Sequence, residues 1–238
     1  MEKKGLPHLL ISMLSGRKSP EQTLKYIHTT SAQKASVIAD IMFRTMREED
    51  VHSNVRRRIQ SQEQYDNAIK SLSPTFVSES GFCVQNLTLS PCSYMNDFES
   101  QCALCSSSCH VAHDEDAISH LMEDLHIQTN RLETVQSAIN FISSEGMQKW
   151  YTTHYRNTCM LKELIRIMSN NNIKAGSIIR VISHSNVIRI TDLDMKVVRQ
   201  IPLELPDANE ALRAAIEAKK KPHSSDKKRN FLSFLYLN

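Results

Sequence analysis

Apolar side chains recur at helical spacing along most of the chain. Leu6, Leu9, Leu10, Met13 and Leu14 mark a short amphipathic helix over 6–15 that Gly16 stops. Ser19-Pro20-Glu21 has the N-cap, first-position proline and early acid of a second helix through Thr23, Leu24, Tyr26 and Ile27. Ala35, Ile38, Ile41 and Met42 share one face of a third, over 31–47. Residues 48–80 are polar, with a weak helical piece near Tyr65–Leu72, and read as a linker. Ile118, Leu121, Leu125, Thr129, Leu132, Val135 and Ile139 step by three or four along 114–142, a coiled-coil-like seam. Ser143-Ser144-Glu145-Gly146 breaks that helix. The next, 147–168, carries Trp150, His154, Cys159, Leu161, Leu164, Ile165 and Met168, so the pair is an antiparallel hairpin. The Ile/Val-rich run 177–201, turning at Asp192-Leu193-Asp194, predicts a two- or three-stranded β element. Ala208–Lys220 predicts a short helix before a basic tail, and Phe231–Leu237 is an apolar end that the pattern does not assign.

The fold class expected is mainly α with a small β element near the C-terminus. The units are 1–47, a linker 48–80, a Cys-rich segment plus helical hairpin 81–172, a β element 173–206, and a short helix with basic tail 207–238. Charged residues make up 23 % of the chain and hydrophobic ones 40 %, a globular balance. The net charge of +3 is compatible with nucleic-acid binding without showing it. Arg56-Arg57-Arg58, Lys219-Lys220-Lys221 and Lys227-Lys228-Arg229 are the concentrated basic runs. No run reaches the roughly 18 apolar residues of a membrane-spanning helix, and the N-terminus lacks a signal-peptide cleavage site.

Five of the six cysteines, Cys83, Cys92, Cys102, Cys105 and Cys109, lie close together, with His110 and His113 directly behind. Thiolates and imidazoles at this density suit a tetrahedral Zn²⁺, and the C-x-x-C pair Cys102/Cys105 can reach one ion from a tight turn. One structural Zn²⁺ on four of the five cysteines is expected, with His110 or His113 able to replace Cys83 or Cys109. A redox role for the C-x-x-C lacks the expected strand-to-helix setting. Thiols without a secretory signal point to a reducing compartment, here the bacterial cytoplasm. Cys159, in mid-helix, reads as core.

Gly5-Leu6-Pro7, Ile11-Ser12-Met13-Leu14-Ser15-Gly16-Arg17 and Thr23-Leu24-Lys25-Tyr26-Ile27-His28 resemble the end of a tyrosine recombinase (phage-type integrase) catalytic domain. In that family a helix ends at Gly-His and the nucleophilic tyrosine follows nine residues after the His. Here Arg17 holds the His position, and Tyr26 follows it by nine. The resemblance covers about 45 residues. It implies that Tyr26 attacks a DNA phosphodiester to give a 3′-phosphotyrosine and that Arg17 donates to the phosphate. The family's other Arg, its Lys and its H-x-x-R box lie upstream of this motif and are not in the sequence. The expectation is therefore a C-terminal recombinase fragment that is inactive alone. Some large bacterial integrase-like proteins are also similar in the run Gly81, Cys83, Ser90-Pro91-Cys92, Cys102, Cys105. The partners expected are DNA and, through the helical hairpin, other subunits or a second copy. The alternative is a non-enzymatic, zinc-dependent DNA- or protein-binding module of a mobile element.

Overall fold

A computed structural model describes residues 48–85, 102–194 and 196–220. Tyr26, Arg17 and Cys92 lie outside these residues, as does the helical pattern over 1–47.

The segment expected as a linker is structured. Helix α1 (Glu48–Arg58) opens on Glu48, Glu49 and Asp50 and closes on Arg56, Arg57 and Arg58, charges that complement the helix dipole at both ends. It buries only Val51 and Val55, one turn apart. So narrow a stripe in a charged sequence reads as solvated chain, which is why its periodicity was not visible. Helix α2 (Gln62–Leu72) is capped by the Ser61 side chain and ends on Ser73 in the left-handed conformation. Strands β1 (Phe76–Ser78) and β2 (Gly81–Cys83) follow as a tight hairpin.

A single 3₁₀ turn (Cys102–Leu104) leads into β3 (Ser108–Val111). Helix α3 (Glu115–Ser137) is capped by Asp114, and helix α4 (Glu145–Met168) by Ser144. Strands β4 (Ile178–Ile182), β5 (Val187–Asp192) and β6 (Val197–Pro202) form a meander, and α5 (Ala208–Lys220) ends the described chain. All six strands join one antiparallel sheet in the order β1-β2-β3-β4-β5-β6. The β element is thus twice the expected size and crosses the boundary drawn at residue 172. The first three strands are three or four residues long, too short to display an alternation.

The sheet separates two cores. The pair Val111↔Ile178 faces α1 and α2, with Val51, Val55, Ile59, Ala68, Phe82 and Cys109. The pair His110↔Ile179 faces the helical hairpin, where Leu121, Leu161, Leu164 and Met168 meet Ile179, Val181, Ile188 and Ile190. A third cluster closes the hairpin's far end around Leu132, Phe141, Tyr151, Tyr155 and Cys159, with Ala215 of α5. The hairpin matches its expected place, and Cys159 is core as read. The α3 seam is filled by this chain's own α4 and sheet. Its last expected member, Ile139, lies beyond the helix and is fully exposed. No helix among the described residues is long and apolar enough to cross a membrane.

Candidate cysteine-rich site

Four cysteines of the cluster are described, and the sheet decides which way each faces. Gly81 starts β2 because a Cβ there would overlap the Cys109 carbonyl oxygen. The close approach fixes the register Phe82↔Cys109 and Cys83↔Ser108. Cross-strand partners share a face and neighbours alternate. Phe82 and Cys109 therefore face the α1/α2 core, while Cys83 and Ser108 face the other way. Cys109 is fully buried there, and burial pushes its thiol up to about 12, against a smaller lowering by Arg180. It is the least suited of the expected ligands, because a ligand must be a thiolate.

Cys83 and Cys105 sit differently. The Gln85 N–H donates to Cys83 Sγ at 3.3 Å, and the Ser107 N–H to Cys105 Sγ at 3.4 Å. In each case the donor lies two residues beyond the sulfur. The two turns are tied to each other. Val84 N–H donates to the Ser107 carbonyl at 3.0 Å, and Ser107 Oγ to Gln85 Oε1 at 2.9 Å. Cys102 is exposed one turn before Cys105, whose N–H donates to the Cys102 carbonyl. Cys83, Cys102 and Cys105 are thus the described thiols of the cluster that lie outside the α1/α2 core. Among the described residues no group of three His, Cys, Asp or Glu side chains is arranged to hold a metal ion.

The histidines are not spare ligands. His110 is completely buried, with Nδ1 at 2.7 Å from the Ser80 carbonyl oxygen and Nε2 at 2.9 Å from that of Ala103. Ser80 lies in the turn before Cys83, and Ala103 lies inside the Cys102–Cys105 turn. His110 therefore pins both thiol-bearing turns from beneath. Burial lowers its pKa more than the two carbonyl contacts raise it. His113 Nε2 meets the Ile173 carbonyl at 2.8 Å, so it too is engaged.

Two arginines complete the frame, and neither was singled out by the sequence pattern for this place. Arg180 on β4 donates through Nε and a terminal nitrogen to the Ser106 carbonyl, at 3.0 and 2.5 Å. Arg58 on α1 pairs with Asp114 at 2.5 Å and donates to the Ser78 and Glu79 carbonyls of the β1–β2 turn, each at 3.0 Å. Comparison of the chain with protein-family models, curated proteins and solved structures finds no match.

Proposed function

We propose that the chain is part of a site-specific DNA recombinase of the tyrosine type, with residues 48–220 forming an accessory module behind the nucleophile. The observation that carries this reading is the motif spacing, Gly16-Arg17 followed nine residues later by Tyr26 within Thr23-Leu24-Lys25-Tyr26-Ile27-His28. The Tyr26 hydroxyl attacks a DNA phosphodiester and forms the P–O bond of a 3′-phosphotyrosine. The bond to the 5′-oxygen breaks, and that oxygen leaves as a hydroxyl after gaining a proton. Arg17 donates to a non-bridging oxygen, where negative charge builds up in the transition state.

A structural Zn²⁺ on four of the five clustered cysteines belongs to the same proposal, although Cys83, Cys102, Cys105 and Cys109 are not gathered into a metal-holding group in this structure and Cys109 faces the α1/α2 core. The density of cysteines along this stretch of sequence supports it. Its chemistry would be to lock the turns, with no open coordination position needed. The second reading is a non-enzymatic, zinc-dependent DNA- or protein-binding module. It is favoured by the way residues 48–220 assemble their own cores around one sheet.

Fusing the chain to an upstream recombinase segment and offering a nicked suicide DNA tests the first reading. A covalent adduct is expected, and Tyr26→Phe should abolish it. An adduct that survives Tyr26→Phe removes Tyr26 as nucleophile, and a fusion that gives none favours the second reading. Metal analysis of the purified chain should find about one zinc per molecule; none would overturn the zinc site.

A further inference from the structure

The β4–β5–β6 meander has one face on the helical hairpin and one that α1 and α2 reach only at its edge. On that second face three rows cross the strands: Ile178, Thr191 and Val198; Arg180, Arg189 and Gln200; Ile182, Val187 and Pro202. No carboxylate stands among these nine positions. Arg180 and Arg189 are direct cross-strand partners. Like charges set opposite each other destabilise a sheet. An anion would relieve such a pair, and no Asp or Glu among the described residues forms an ion pair with either arginine. Arg180 is anchored to the Ser106 carbonyl, which orients its guanidinium without neutralising it. The Arg189 side chain forms no hydrogen bond among the described residues, and its Nε is buried without a partner. Both side chains are half-buried, and Gln200 beside them is exposed.

We infer that this row is a contact surface for the phosphate backbone of duplex DNA. The residues that carry two guanidiniums and an amide lie one inter-strand step apart along the row, roughly 5 Å each. Guanidinium forks match phosphate oxygens bidentately, and a phosphate supplies the negative charge that the paired arginines lack. The contact gives affinity and position rather than base sequence. The choice of DNA rests on the recombinase reading; the fit of this row to an anion does not.

Fluorescence anisotropy with a labelled duplex, across a salt series, tests this on the full chain. Arg189→Gln should weaken binding by about tenfold and lower the slope of log K against log salt by about 0.9, and Arg180→Gln with Arg189→Gln by about 1.8. Arg199→Gln removes the same charge from the opposite face of the same meander and should leave the slope unchanged. Among the described residues the Arg189 side chain has no partner to lose, so its variant should melt at or above the parent temperature even if the Arg180 variant does not. Wild-type affinity and slope in Arg189→Gln, or an equal loss in Arg199→Gln, would overturn the assignment. Binding needs no covalent step, so Tyr26→Phe should bind like the parent. A failed adduct assay thus leaves this surface standing, and a failed binding assay leaves the adduct chemistry standing.

Discussion

His110 has a ring nitrogen against each of two carbonyl oxygens, and a neutral imidazole carries a single N–H. An imidazolium would donate to both turns, and burial, which lowers the pKa of the ring, opposes it; a neutral ring donates to only one of the two. The side chain is a positioning group for Cys83 and for the Cys102–Cys105 turn. Removing it leaves a cavity and at least one buried carbonyl without a donor. We expect His110→Ala to cost about 2–4 kcal/mol, read from the midpoint of urea unfolding. Thiol labelling separates a local effect from global loss. In metal-free protein at pH 8, Cys102 is exposed and should alkylate first. Cys159 is buried, with its thiol pushed up to about 11 by burial, so roughly one molecule in a thousand carries its thiolate. In His110→Ala the labelling of Cys105 should accelerate while Cys159 stays protected. Equal rates at Cys105 in variant and parent would show that His110 does not hold the turn.

Helix α2 shows why an element with a weak pattern is nonetheless fixed. Its Gln64 is buried and donates to the Ala175 carbonyl at 3.2 Å and to Asp194 at 3.0 Å, while Asn67 donates to the Leu193 carbonyl at 3.1 Å. Asp194 also pairs with Lys174. Polar side chains thus dock α2 on the turns flanking β4 and β5, and a pattern of apolar positions does not register them. Gly176 belongs to the same dock, with a φ of +81° and no room for a Cβ beside Gln64 Oε1. Gly176→Ala should therefore cost about 1–3 kcal/mol, and thermal unfolding would show it. Wild-type stability in that variant would mean that Gln64 is not held there. The contrast with the helical hairpin is physical. Leu121, Leu132, Leu161 and Leu164 bury fully and repeat at helical spacing, so α3 and α4 were legible. The strands β4 to β6 showed themselves through Ile and Val, although β6 is exposed along most of its length. The cysteine spacing announced a cluster. The facing of Cys109 and the role of His110 depend on β2 pairing with β3 across a long separation in sequence, which local spacing does not encode.

At the scale of the whole molecule, the two sides of the sheet are joined at one ion pair. Arg58 ends α1, which packs on one face, and Asp114 caps α3, which packs on the other. Their side chains are 6 % and 7 % exposed, and the Asp114 carboxylate also accepts the Ala117 N–H at 3.1 Å. Arg58 reaches the Ser78 and Glu79 carbonyls as well, so one guanidinium binds helix, hairpin turn and opposite helix. Burying two charges brings little net stability over an apolar pair, but removing one partner leaves the other uncompensated. Arg58→Met and Asp114→Asn should each cost about 3–5 kcal/mol by that argument, with the asparagine keeping an acceptor for the cap. The double variant removes both charges and should lose at least 1 kcal/mol less than the sum of the singles. A denaturant-unfolding cycle measures that coupling. Additive losses would mean that α1 and α3 are held to the sheet independently. A large coupling would make the pair the point through which the thiol-bearing hairpin feels both helical layers. In that case Arg58→Met should also speed alkylation of Cys83, which lies on the strand that Arg58 steadies.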